Sequence, residues 1–457
     1  MRLSAGIGCI ILLMFVGCSL EPPAASSERK SVAQAGRRYE KPYDQRQIPE
    51  LPSQPTWQDV LQRAFLANGE LEAAYFEWKA AVDVIRGTGE WPNTMTGLGY
   101  SYFWSRDNIK GWNRTTLNLQ SDPSATVAFP LKTAQAAKIA HDDAVAKARR
   151  FAETKFAVQR KVLTAYYEYA LASEKLRLQQ ESVRLLQVIA DSAGQRVQTG
   201  GPQEDMLRAQ TEYELGDNEF ENLKVDVMVQ RANLNALLSR PPEAPLDVPQ
   251  LPPARSWQGQ EDRLILQAVD ANPELAALAA ELKSRQDAVE LAKLAWIPDF
   301  NIGFSWTGDA SKAINAMIMA PTTVLRISGQ IDASKSLLRQ AQATTRQTQS
   351  DKAAEFLSAF YEFHNSQRQV ELFRSRILPR AQQTWENSTR LYSNGQSGVV
   401  DFIQSQRTLL QVRQSVAESA MMREKKLAEM EALAGVDIEA VATASTQPAS
   451  APSHDKP

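Results

Sequence analysis

Residues 162–201 read VLTAYYEYALASEKLRLQQESVRLLQVIADSAGQRVQTGG, the centre of a run from 131 to 238 that is almost free of Gly and Pro except at Gly200-Gly201-Pro202. As helix, the first arm (131–198) spans roughly 100 Å at ~1.5 Å per residue, too long for an ordinary globular helix. Its apolar residues keep a seven-residue step. Val162, Tyr169, Leu176, Val183, Ala190 and Val197 form one row, and Ala165, Ala172, Gln179, Leu186 and Ala193 a second. That period belongs to a left-handed coiled coil, because a helix must be slightly underwound to keep such a stripe facing a partner. Met206, Tyr213, Phe220, Val227 and Leu234 continue it on the second arm. The rows are core, and the length with flanking Ala, Ser and Gln makes that core a thin-walled rod.

Outward from this hairpin the chain repeats itself. Asn272-Pro273-Glu274-Leu275 matches Asn68-Gly69-Glu70-Leu71, and Leu264, Ile265 and Ala268 match Val60, Leu61 and Ala64, all at a spacing of 204. Gly303-Phe304-Ser305-Trp306 repeats Gly99-Tyr100-Ser101-Tyr102 at the same spacing, while 359–363 repeats 165–169 at 194. The heptad row returns as Phe356, Phe363, Val370, Ile377, Thr384 and Leu391. Separated anchors in one order make a tandem structural repeat, with the second hairpin at about 331–434.

Between the first helical pattern (from Thr56) and the long hairpin, the period becomes two. Thr96, Leu98, Tyr100, Tyr102 and Trp104 alternate with Gly97, Gly99, Ser101 and Phe103, as in a strand that separates lipid from water or in a half-buried soluble strand. A second extended stretch runs from about 115 to 129. In the second half, Phe300, Ile302, Phe304 and Trp306 face one way. Thr323, Leu325, Ile327 and Ile331 opposite Val324, Arg326, Ser328 and Gln330 suggest its partner strand, which leaves 308–321 as a loop with an unexplained apolar middle.

The 457-residue chain carries a net charge of -2, so no basic face points to nucleic acid. Beyond the N-terminus no apolar run approaches the ~20 residues a membrane helix needs. Arg2, the apolar stretch 7–16 and Gly17-Cys18 have the form of an export signal whose end resembles a bacterial lipobox. That implies cleavage before Cys18 and covalent lipid on it. With Cys9 removed, Cys18 is the only cysteine and no internal disulfide forms. Ser19, not acidic, directs such lipoproteins to the outer membrane. The expected organisation is a signal peptide at 1–17 and a tether with little structure at 18–55. Two repeats, 56–240 and 261–436, then flank a linker at 241–260, and 437–457 is a disordered tail. His141, His364 and His454 are isolated, and no phosphate loop or nucleophile elbow occurs. No catalytic, cofactor or metal site is expected, and Glu168 and Glu362 read as solvated.

Four strands cannot close a membrane barrel, whose smallest form has about eight, and open edges cannot face lipid. Several copies must share one barrel. At this point the pattern over about 56–436 resembles the TolC-like outer membrane efflux factors. The carriers are Asn272-Pro273-Glu274-Leu275, Trp296-Ile297-Pro298-Asp299-Phe300 entering a strand, and Gly395 followed by Val399-Val400-Asp401-Phe402 with Gln406 beyond. The resemblance implies a mainly α chain with four strands. As a homotrimer it would form a twelve-stranded barrel in the Gram-negative outer membrane, continued by a helical tube into the periplasm. It would be a passive exit duct that docks onto a periplasmic adaptor and an inner-membrane pump, proton-driven or ABC type. The alternative is a non-conducting coiled-coil lipoprotein scaffold.

Carried over by position, the resemblance makes Gly200, Gly201, Gly395 and Gly398 docking tips and Asp401, Gln404, Tyr392 and Asp205 aperture residues. Gln404 stands where the best-known member is acidic, leaving Asp401 alone as the charged ring. Asp205 and Asp401 are also suited to cap or begin a helix. Trp104, Trp112 and Trp306 fit an aromatic girdle at the bilayer interface, and Trp91 and Trp296 fit either that girdle or a core.

Overall fold

The computed structural model describes residues 20–90, 96–104, 109–121, 129–248, 254–255, 270–309, 311–319 and 322–436. The signal peptide, Cys18, Trp91, His454, half of the inter-repeat linker and the tail expected at 437–457 lie outside the described residues. The chain forms two compact units, one from the described parts of Met1–Arg37, Ala73–Phe151 and Glu274–Gln349, the other from those of Arg38–Glu72, Ala152–Pro273 and Ser350–Pro457.

The first unit carries one antiparallel sheet, β1 (Thr96–Tyr102), β2 (Thr115–Ser121), β3 (Asp299–Thr307) and β4 (Ser311–Met319), in the order β1-β2-β3-β4. Its register sets apolar positions against apolar ones: Leu98 against Leu119, Tyr100 against Leu117, Leu117 against Trp306 and Phe304 against Ile314. Gly99, Asn118, Ser305, Gly303 and Asn315 alternate with them on the other face. By this register the apolar positions fall on one side of the sheet, and among the described residues β1 and β4 are both unpaired edges.

One sequence expectation is corrected here. The partner of β3 is 311–319, not 323–331. Residues 308–321 hold a strand instead of a loop, and α7 (Val324–Leu372) starts where a strand was expected. The alternation at 323–331 is also compatible with a helix, whose core position is the buried Ile327 while Leu325 is 88% exposed. Thr323 opens that helix, its carbonyl accepting from the Arg326 and Ile327 amides. Strand β4 shows no clean period because Ala313 and Ala316 fall on opposite faces and Met317 and Met319 lie on the face opposite Ile314 and Ile318.

A second correction concerns the supposedly unstructured 18–55. Here α1 (Ala25–Gly36) buries Ala25 and Val32. The Leu20 amide donates to the Gly89 carbonyl at the end of α3 (Gly69–Gly89). A side chain at Gly36 would lie 2.0 Å from Tyr75 Oη, so only glycine permits this approach.

In the same unit α6 (Pro273–Lys293) lies along the start of α4 (Pro130–Gln198), held by charged hydrogen bonds. Lys138 Nζ donates to Asp287 Oδ1 and Lys283 Nζ to Asp142 Oδ1, each at 2.8 Å, and Arg150 is forked onto Glu281. Asp287 is held below the ordinary carboxylate value. Burial pushes it up, but the hydrogen bonds donated by Lys138 and Gln135 and the Lys138 charge outweigh that.

The second unit contains the rest of α4 with α2 (Trp57–Ala67), α5 (Gln203–Leu237) and the second hairpin from Ser350 onward. The heptads are realised in the first hairpin. Ala165, Ala172, Gln179, Leu186 and Ala193 are all buried. Gln179 is satisfied by donating to the Gly216 carbonyl at 2.8 Å, and the missing side chain at Gly216 lets Leu186 approach α5. The second hairpin is α7, one wide turn (Phe373–Ile377), α8 (Leu378–Ser393) and α9 (Val399–Leu433). The wide turn precedes Pro379, which has no amide hydrogen to give the preceding turn. Of the heptad row in this hairpin only Phe356, Phe363 and Val370 are buried, and Thr384 and Leu391 are exposed, because the wide turn inserts a residue and rotates the row out of the core.

The duplication is visible in bonds. Asn68 Nδ2 donates to the Leu237 carbonyl at 3.2 Å and Asn272 Nδ2 to the Leu433 carbonyl at 2.9 Å. Each hairpin then ends on a left-handed residue, Ser239 (φ 51) or Gly435 (φ 64).

Candidate functional site

Both hairpin turns lie in the second unit and share a construction. At the end of α4 the Gly201 amide donates to the Arg196 carbonyl and Gly200 to Val197; at the end of α8, Gln396 donates to Leu391 and Gly395 to Tyr392. This is the paired closure that ends a helix on a left-handed residue, and Gly200 (φ 95) and Gly395 (φ 69) supply it. Gly201 has a second reason to lack a side chain, since one would meet the Arg196 carbonyl at 2.9 Å. Gly398 is exposed and precedes α9 in extended conformation.

Behind the turns four helices share one apolar cluster: Leu186, Ile189 and Ala193 of α4, Ala209 of α5, Tyr392 of α8, and Val399, Phe402 and Ile403 of α9. Tyr392 is its hub. Its ring lies 5.3 Å from that of Phe402, and the Arg196 guanidinium lies over it at 4.2 Å. Arg196 Nη2 also donates to the Tyr392 carbonyl at 3.0 Å. The Tyr392 hydroxyl is buried and has no hydrogen-bond partner among the described residues. Arg196 therefore pins the first turn to the second by a cation–π contact and a charge-assisted hydrogen bond.

The remaining aperture candidates are not members of that cluster. Asp205 is half-buried and Asp401 and Gln404 are exposed. Both aspartates sit in the first turn of their helices, α5 and α9, where a negative charge meets the helix dipole. Neither is the cap residue; Pro202 and Gly398 occupy those positions without side-chain caps. Farther along, a cavity of about 360 Å³ opens between α4, α8 and α9, lined by Leu178, Leu185, Trp385, Glu386 and Leu409.

In the first unit Trp104 is 91% exposed. Trp112 and Trp306 meet edge to face at 6.2 Å, and their indoles donate to Asp309 Oδ1 and the Gly308 carbonyl. All three adjoin the hairpin connections at one end of the sheet. Trp296 is half-exposed in a single turn before β3. Glu168 and Glu362 are not simply solvated: Lys425 and Lys426, neighbours on α9, reach them at 2.8 and 2.7 Å. The Lys426 hydrogen bond holds Glu362 below its ordinary value. Among the described residues no three His, Cys, Asp or Glu side chains are grouped to hold a metal ion, and no helix is long and apolar enough to cross a membrane.

Sequence reasoning missed Arg196. At the repeat spacing of 194 its counterpart is Arg390, also a basic residue in a last helical turn, whereas the hydrogen bonds of the two turns align it with Leu391, so the duplication marked the position without marking the contact.

Residues 264–436 match the sequence profile of the outer membrane efflux protein family. No curated protein matches the chain in sequence. Among solved structures, the outer membrane protein VceC of Vibrio cholerae superposes with a TM-score of 0.67 at 17% identity, covering 83% of this chain and 96% of that one. The MtrE outer membrane channel of Neisseria gonorrhoeae, in its open state, gives 0.68 at 15%, covering 83% and 89%. The CmeC outer membrane channel of Campylobacter jejuni gives 0.67 at 13%, covering 85% and 88%. At these identities the shared property is the fold, and it extends over both repeats.

Proposed function

We propose that this chain, which carries the outer membrane efflux family pattern in its second repeat and the TolC-like fold throughout, is one third of a passive exit duct in the outer membrane. The observation that carries the reading is the four-stranded sheet with one apolar face and two unpaired edges. Each unpaired backbone group would cost several kcal/mol in lipid, so the edges must meet other strands. Two copies would give an eight-stranded barrel filled by its own side chains; three give twelve strands and leave a lumen. Each copy then adds the arms α4, α5, α7–α8 and α9 to a helical tube in the periplasm.

In this reading Cys18 is lipid-modified and holds the N-terminus at the membrane. The turns at Gly200-Gly201 and Gly395 to Gly398 dock a periplasmic adaptor, and an inner-membrane pump, proton-driven or ABC type, supplies the energy. Asp401 contributes a ring of three carboxylates at the aperture, Gln404 a neutral ring beside it, and Tyr392 and Asp205 bear on closure. No bond is made or broken in the duct. The test is native mass and planar-bilayer recording of the detergent-extracted full chain. Three copies and discrete conductance steps are expected, and a monomer without conductance refutes the reading.

A further inference from the structure

The internal repeat states how the open edges of two copies meet. Every β1–β2 pair has a twin in β3–β4 when β1 is advanced by 204 residues and β2 by 197. Tyr102 against Thr115 becomes Trp306 against Lys312, and Gly99 against Asn118 becomes Gly303 against Asn315. Thr96 against Ser121 becomes Phe300 against Ile318. The two hairpins are therefore equivalent residue by residue, and the β2–β3 seam inside the chain joins the first hairpin to the second. Its five pairs run from Thr116 against Thr307 to Gln120 against Gly303. In a closed ring of alternating equivalent hairpins, the seam between copies joins a second hairpin to a first and repeats this geometry.

We propose that β4 of one copy pairs with β1 of a second copy in the register of the β2–β3 seam: Ala313 with Phe103, Ile314 with Tyr102, Asn315 with Ser101, Ala316 with Tyr100 and Met317 with Gly99. This rests on the barrel reading above and adds the register to it. The chemistry of the pairs was not used to derive them, yet it agrees. Ile314 and Ala316, positions on the apolar face, meet Tyr102 and Tyr100, while Asn315 meets Ser101 just as Asn118 meets Ser305. A slip of one residue would set every apolar position against the polar face. Tyr100 and Phe103, 67% and 62% exposed in the single chain, lie on the edge that the second copy would cover.

Paired cysteines in the full-length lipoprotein test the register. Ser101→Cys with Asn315→Cys and Tyr100→Cys with Ala316→Cys are in register, and one of two successive pairs falls at the closely approached, non-hydrogen-bonded kind. Ser101→Cys with Ala313→Cys and Ser101→Cys with Met317→Cys are two residues off. Under mild oxidation, non-reducing gels are expected to show covalent multimers from at least one in-register pair, at about tenfold higher yield than from either shifted pair. Equal or greater yield from a shifted pair overturns the register. So does the absence of cross-links in both in-register proteins when native mass shows them associated. Protein that is monomeric by native mass overturns the barrel reading itself, and the register with it.

Discussion

Arg196→Met removes the pin between the two turns without touching the apolar cluster behind it. The lost cation–π contact at 4.2 Å contributes about 1 kcal/mol at a partly exposed site. The charged hydrogen bond to the Tyr392 carbonyl adds about 1.5 kcal/mol. Screening by water at a half-buried guanidinium lowers the sum to about 2 kcal/mol per copy, a shift of roughly thirtyfold in any equilibrium that separates the turns. If such separation opens the aperture, the variant opens more often in planar-bilayer recordings. Amide exchange at 193–206 and 389–403 accelerates by a similar factor. Arg196→Lys keeps the charge but loses the planar fork, so its effect should be intermediate. Tyr392→Phe is a further control, because the hydroxyl has no partner within the described chain. It should resemble wild type if the pin is internal to each copy, and should open the channel if the hydroxyl bonds a neighbouring copy. Unchanged opening together with unchanged exchange at both turns in Arg196→Met would refute the reasoning.

Three further outcomes follow from the geometry. Asp401→Asn, at an exposed first-turn position, should cost under about 1 kcal/mol of helix stability while lowering the sensitivity of the pore to cations; unchanged conductance and sensitivity remove its gating role. Asp287 has a depressed folded pKa, so it contributes stability above its unfolded value of about 4 that is lost as pH falls through the lower folded value. Exchange in α6 should accelerate on acidification below about pH 4, and Asp287→Asn should remove much of that dependence; an identical acid response in the variant contradicts the assignment. Gly435→Ala places a side chain 2.8 Å from the Ala271 carbonyl at a φ of 64, at a cost of about 1–3 kcal/mol. A circular-dichroism melt with an unmoved midpoint would show that the backbone there relaxes freely.

Much of the fold was legible because its dominant signals are local. The first arm read as 131–198 is Pro130–Gln198, and the turn at Gly200-Gly201-Pro202 separates it from Gln203–Leu237. A seven-residue step and a glycine at the turn state these boundaries without reference to anything distant. The repeat anchors were equally legible, and the structure explains two of them: Asn68 and Asn272 each hold the end of a hairpin arm. Strand β4 and helix α1 were not legible. Each is defined by what it packs against, β3 and α3, and neither shows a clean period of its own. At the tips the sequence pointed to Tyr392 and Asp205, but the side chain that grips Tyr392 is Arg196, 196 residues away.

By itself the sequence determined the helical arms, their tandem duplication and the alternating strands, because heptad and two-residue periods are set by burial along one element at a time. Only the tertiary structure decided which stretch completes the second hairpin, how β2 and β3 join the repeats, and what holds the two turns together. Those features depend on partners far apart in the chain, whose contacts are rewarded only after the intervening loop has closed, so no local pattern records them.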